Sequence, residues 1–234
     1  MMAVKTTPLQ ELVHQANLDL AASGLVMGTF GNLSAVDRRI GMMVIKPSGI
    51  PYGSMTPADM VQVSLKTGEV TSGNRRPSSY TPTHLELYRA FDCGAIVHTH
   101  SEFATLFAQT SRPIRCMGTT HADHFRGDVP VTRPLTPAEI DEDYERNTGL
   151  VIIEAFKTKG IDAREVPAVL VAHHAPFAWG ADAAKAIEHA KVLEFVARLE
   201  WRGLTMAPNA QPPDPHLIQK HYLRKHGPRA YYGQ

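Results

Sequence analysis

The run GAIVHTHS at 94–101 ends in two histidines one residue apart, His98 and His100. Strand-like residues lead into them, and alternate residues of a strand share a face, about 6.6 Å apart along the backbone. Two imidazoles at that spacing can lean onto one divalent ion, and a third ligand is required to hold it. The segment AHHAPF supplies two candidates, His173 and His174, at the end of an apolar run. Three neutral histidines with one coordination position left open match a catalytic zinc centre. Mn²⁺ and Co²⁺ accept the same donors, because affinity alone does not select the metal.

Three short polar segments could supply an anion site: GNLS at 31–34, KPSG at 46–49 and RPSS at 76–79. Each reads as a turn offering backbone N–H groups, hydroxyls or a cation. Lys46, Ser48, Gly49, Ser78 and Ser79 together would cradle a phosphate by charge and hydrogen bonds.

The elements that must position these groups can be read from caps and periodicity. Thr7-Pro8 with Gln10 marks a capping box that opens a helix, stopped at Gly24. TFGNLSAVD and GMMVIKPSG read as two strands of a hairpin. Thr81-Pro82 starts a helix through THLELYRAF. AIVHTH reads as a strand, with Ser101 capping the helix EFATLFAQ. Thr136-Pro137 and Glu139 form a second capping box before a long helix. AVLVAHHA reads as a strand leading into PFAWG, followed by an amphipathic helix over about 182–200 and a last helix opened by Asp214-Pro215 and stopped by Gly227. The mixture is α/β, and the hairpin favours a sheet of antiparallel character covered by helices on both faces. No linker divides the chain.

The 234 residues carry 24 basic and 23 acidic side chains, a net charge of +1, which points to neither nucleic acid nor an anionic membrane surface. Cys93 and Cys116 are too few for a disulfide framework and form no CxxC pair, so a reducing cytoplasm is expected. The N-terminal stretch 1–15 is too polar for a signal peptide, and no apolar run approaches the length of a membrane span.

Seven stretches now carry a family likeness: GTFGNLSAVD, IKPSGIPY, RPSSYTPTHLELYRAF, AIVHTHSEFAT, GTTHADHFRGDVPVTRPLT, VLVAHHAPFAWG and KHYLRKHGPRAYYGQ. In that order they resemble the class II aldolase/adducin family over nearly the whole chain, and most of all its epimerase branch. The resemblance implies one three-layer α/β/α domain over 1–234 with a mostly antiparallel central sheet. Its C-terminal helix and tail, 214–234, would contribute to the active site. A four-fold homotetramer with sites between neighbours is implied too. The family's zinc ligands fall on His98, His100 and His174. Substrate contacts fall on Gly31, Asn32, Lys46, Ser48, Gly49, Ser78 and Ser79, and the acid/base pair on Asp123 and Tyr232. Thr119, Glu145, His221 and Arg224 match further positions in or beside the site.

The activity so implied is inversion at C4 of a small sugar phosphate, L-ribulose 5-phosphate, giving D-xylulose 5-phosphate. The C4 hydrogen is not acidic. Cleavage of C3–C4 in a retro-aldol step instead leaves an enediolate and glycolaldehyde phosphate, whose aldehyde turns and is attacked on its other face. The ion would serve as a Lewis acid for the enediolate. Each face needs its own proton donor and acceptor at the C4 oxygen, which suits two residues from distant parts of the chain. Tyr80 departs from the family pattern, which has an aspartate there, at or next to the metal. The ion could then keep three histidines and water, the Tyr80 oxygen could ligate, or the ring could fill the site. Ala175 stands where a glycine is usual. An aldolase or epimerase for another ketose, and a non-catalytic adducin-like module, are the competing readings.

Overall fold

A computed structural model of the chain describes residues 6–233. Residues 1–5 of the polar N-terminal stretch and Gln234 of the tail motif lie outside the described residues. Helix α1 (Pro8–Ala22) begins at the expected capping box, with the Thr7 hydroxyl accepting from the Gln10 amide and the Gln10 carboxamide oxygen accepting from the Thr7 amide. Further along α1, Asn17 accepts from the Leu33 amide and donates to the Leu33 carbonyl, which ties the helix to the first strand at two points.

Seven strands form one sheet: β1 (Asn32–Asp37), β2 (Met42–Ile45), β3 (Val61–Ser64), β4 (Val70–Ser72), β5 (Ala95–His98), β6 (Ala168–Leu170) and β7 (Pro176–Gly180). Their order is β4-β3-β2-β1-β5-β7-β6, and every neighbouring pair is antiparallel. The register sets Asn32 of β1 and Phe177 of β7 on either side of His98.

Side-chain alternation along the strands explains the layers. Trp179 packs on Phe91 and Phe156, and the Ser34 hydroxyl bonds to His84 and Tyr88, so this face meets α2 (Thr81–Ala90) and α5 (Pro137–Lys159). Gly180, next to Trp179, faces α6 (Ala183–Met206), where a Cβ would stand 2.6 Å from the Ala186 nitrogen. Helix α3 (Glu102–Gln109) packs on α6. The short α4 (Thr119–Ala122) and α7 (Pro215–His226) pack on each other. The Asp214 and Gly227 boundaries of α7 and the Thr136 box of α5 stand as expected.

Several sequence expectations change. The strand read as AIVHTH ends at His98, because both neighbours run out there: β1 starts at Asn32 after a turn at Gly31, and β7 starts at Pro176, which has no N–H to give. AVLVAHHA is not one strand, since β6 stops at Leu170 and the chain reverses through 171–175 into β7. Ser101 does occupy the N-cap of α3, yet its hydroxyl makes no capping bond; the Glu194 carboxylate on α6 takes the amides of Phe103 and Ala104 instead, each at 2.9 Å. GNLS is a turn only at Gly31, and its other three residues open β1. The amphipathic helix runs on to Met206. No described helix is long and apolar enough to cross a membrane, and both cysteines are buried free thiols.

Candidate metal and anion site

His98, His100 and His174 form a cluster whose ligand atoms all lie within 4.8 Å of one another. His98 is buried at the end of β5, His100 lies two residues on, and His174 comes from the β6–β7 reversal. His98 donates from Nδ1 to the Pro176 carbonyl at 3.0 Å, which leaves Nε2 as the ligating atom. Its Nε2 stands 3.4 Å from Nε2 of His174. Two nitrogens on a tetrahedral zinc stand roughly 3.3 Å apart, so the pair fits such an ion without rearrangement. His173 takes a left-handed backbone (φ 61°), and its ring turns to the Gln109 carbonyl and the Ser111 hydroxyl. The structure thus brings His174, and not His173, to the other two.

Burial, followed by the nearby His174 and His100 imidazoles, pushes the His98 pKa far below its ordinary value. Burial and then His100 take His174 down to about 4, and burial lowers His100. All three rings are neutral at ordinary pH, the state a metal requires of its ligands.

Packing holds the rings in place. Phe177 stacks on His98 at 4.2 Å and 17°, and Tyr80 lies 4.6 Å from His98 and 5.2 Å from His174. Tyr80 sits at the N-cap of α2, where its side chain makes no capping bond. Tyr144 stands against the same His174 ring, edge-on at 6.5 Å. Burial first, then the Tyr144 hydroxyl and the Glu145 carboxylate, raise the Tyr80 phenol above its ordinary pKa. Glu145 follows Tyr144 in α5, and its carbonyl accepts from the Thr83 hydroxyl of α2.

The anion segments meet next to the histidines. Pro47 and Pro77 form a bridge, Ser48 N donates to the Arg76 carbonyl, and Ser78 N donates to the Lys46 carbonyl. Residues 29–32, 46–49 and 78–80, with His98 and His100, line a cavity of about 260 Å³. Gly31 has φ 77°, and a Cβ there would stand 2.8 Å from the His98 carbonyl oxygen, so only glycine lets this turn close on the end of β5. Asn32 donates to the Ser78 hydroxyl, while its buried Oδ1 has no partner among the described residues. Lys46 is buried; its ammonium meets the Pro47 and Thr29 carbonyls and the Tyr52 ring, and no carboxylate bridges it among the described residues. Burial pushes its pKa down to about 8. A buried cation without a counter-charge beside an unpaired acceptor is a site for an anion that also carries hydroxyls. Three cavities elsewhere are larger, two of about 390 Å³ and one of about 360 Å³, but none contains the histidine cluster.

The remaining candidates gather in a second place. Asp123 follows α4, which starts at Thr119. Its Oδ1 accepts from His221 Nδ1 (3.1 Å) and Arg224 Nε (3.2 Å), and its Oδ2 from Arg224 (2.9 Å). Partial burial disfavours the charge, but the Arg224 and His221 hydrogen bonds outweigh it and hold the carboxyl below its usual range. The tail is anchored, since the amides of Tyr231 and Tyr232 both donate to the Arg224 carbonyl and the guanidinium lies 4.0 Å from the Tyr232 ring centre. No hydrogen bond, ion pair or ring contact among the described residues joins Asp123, His221 or Arg224 to the triad.

The sequence reading missed Tyr144 and Phe177. Phe177 lay in a segment read only as apolar, and Tyr144 reaches the site through a helix break that no residue pattern announced.

A metal-ready histidine triad at the strand ends of an antiparallel sheet, beside an anion pocket, defines the class II aldolase-like architecture. Residues 11–201 match the family described as Class II Aldolase and Adducin N-terminal domain, and the chain belongs to that family. It is 48% identical over 227 residues to L-ribulose-5-phosphate 4-epimerase UlaF of Salmonella paratyphi A, covering 97% of this chain and 98% of the relative. Among solved structures, an L-fuculose 1-phosphate aldolase shares the fold with a TM-score of 0.77 at 24% identity, over 93% of this chain and 95% of that one. YgbL of Escherichia coli, described as a putative aldolase/epimerase/decarboxylase, aligns with a TM-score of 0.71 at 25% identity, over 91% of this chain and 96% of that one.

Proposed function

We propose that the chain is a divalent-metal epimerase that inverts C4 of L-ribulose 5-phosphate to give D-xylulose 5-phosphate by breaking and re-forming C3–C4. The juxtaposition of three neutral imidazoles with a pocket whose buried Lys46 lacks a carboxylate partner carries this reading. The 48% likeness to an L-ribulose-5-phosphate 4-epimerase narrows the substrate. His98, His100 and His174 would hold the ion, Zn²⁺ first and Mn²⁺ or Co²⁺ as alternatives, and the ion would supply Lewis acidity at the ketone and its neighbouring hydroxyl.

The chain's own residues do the rest. Lys46, with Ser48, Gly49, Ser78 and Ser79, holds the phosphate while the aldehyde fragment turns, and Gly31 and Asn32 bound the same pocket. Asp123, kept ionised by Arg224 and His221, takes the proton from the C4 oxygen on one face. Tyr232 gives or takes it on the other, with Thr119 and Glu145 flanking the reacting atoms. Because no hydrogen bond or ion pair of Asp123 among the described residues reaches the triad, a neighbouring copy would bring the acid/base residues to each metal centre. A homotetramer of four such sites satisfies that arrangement.

Incubating the metal-loaded protein with L-ribulose 5-phosphate and following the ketoses by NMR tests the reading. Appearance of D-xylulose 5-phosphate is expected. Accumulation of free glycolaldehyde phosphate as the main product would make it an aldolase, and turnover only of an unphosphorylated ketose would remove the phosphate assignment.

A further inference from the structure

Tyr80 closes the α2 side of the pocket, with its ring nearly parallel to that of His174 (21°). Tyr144 stands edge-on to the same imidazole, 6.5 Å away at 86°. The two phenols thus flank the same imidazole. Tyr144 gets there because α5 breaks at Asp143 (φ −155°, ψ 73°) just before it. The following turn is pinned to α2, since the Thr83 hydroxyl donates to the Glu145 carbonyl and a Cβ on Gly149 would come within 3.2 Å of the Thr83 carbonyl oxygen.

Two phenols carry two hydroxyl protons. The pair therefore offers donors and no negative charge to the pocket. The histidine cluster contains no aspartate or glutamate. The three histidines would bring no charge to a divalent ion, so a ligand that carries negative charge of its own is favoured there.

Resting on the metal reading above, we propose that the Tyr80–Tyr144 pair is the specificity-determining donor of this site. It hydrogen-bonds a negatively charged ligand oxygen and so makes the loaded site select two-oxygen anions, of the α-hydroxycarboxylate or enediolate class, over neutral hydroxyketones. A preorganised donor aimed at an oxygen that gains charge stabilises it more than it stabilises the neutral ketone.

The test uses Co²⁺, whose visible spectrum reports its ligands, with glycolate as the anionic probe and dihydroxyacetone as the neutral one. Tyr80→Phe is expected to weaken glycolate binding about 10-fold or more, the loss of one hydrogen bond to a charged oxygen. Co²⁺ and dihydroxyacetone affinities should stay within about 3-fold. Tyr144→Phe should weaken glycolate in the same direction and serves as the readout if Tyr80→Phe does not fold. Tyr80→Asp should tighten Co²⁺ and weaken glycolate further, because a carboxylate supplies the charge the ligand otherwise brings. Unchanged glycolate affinity in both phenylalanine variants overturns the proposal. So does a parallel loss of Co²⁺, which would make Tyr80 a ligand or a packing support. Failure of the wild-type chain to take up Co²⁺ would remove the metal reading itself, whereas absence of epimerase turnover would leave the glycolate result standing.

Discussion

His98 is 1% exposed and lies between Phe177 and Tyr80, with one ring nitrogen fixed by a backbone carbonyl. Tyr232 is 47% exposed and lies on a tail anchored by bonds to Arg224. Both belong to the groups proposed for one reaction, yet the fold treats them differently. The metal half is anchored at the end of the sheet by buried His98, with half-buried His174 and exposed His100 completing it toward solvent. The acid/base half is displayed on α4, α7 and the tail, with Asp123 kept charged by a guanidinium and an imidazole. Burial suits groups that must stay neutral and fixed. A partly buried carboxyl held by charged donors, as at Asp123, suits a group that must stay ionised.

Substitutions should separate the halves. His174→Ala should cost about 10³-fold or more in kcat and drop metal content below roughly a tenth of an equivalent by elemental analysis, since Lewis acidity is lost with the ion. Full metal content in that variant would break the ligand assignment. Asp123→Asn and Tyr232→Phe should each lower kcat by roughly 10²- to 10⁴-fold while metal content stays full. A metal loss there would mean that the two halves are not independent.

Lys46 gives the smallest effect and a sign that can be worked out. Its folded pKa is lowered to about 8. The charged form that attracts an anion is therefore present below that pH and lost above it. Sulfate, a dianion throughout this range, should bind about 10-fold more weakly at pH 9 than at pH 7 by calorimetry. Flat affinity across that window would place the phosphate elsewhere.

The metal half was the more legible half in the sequence. Capping boxes at Thr7 and Thr136 and the HxH spacing are local signals, and local signals survived. What failed was decided by neighbours. Whether β5 continued past His98 depended on where β1 and β7 ended, and whether Ser101 or Glu194 capped α3 depended on a helix some 90 residues away. The choice between His173 and His174 turned on one left-handed residue in a reversal. Tyr144 was invisible because its position depends on a break inside a continuous helical pattern.

Mixing two inactive variants tests most directly whether each site is shared between copies. His174→Ala keeps an intact acid/base half and Asp123→Asn keeps an intact metal half. Unfolded, mixed in equal amounts and refolded together, they should regain about a quarter of wild-type epimerase activity, the share of neighbour contacts at which both intact halves meet. Activity no higher than that of the separately refolded variants would place both halves of each site within one chain and contradict the shared-site arrangement.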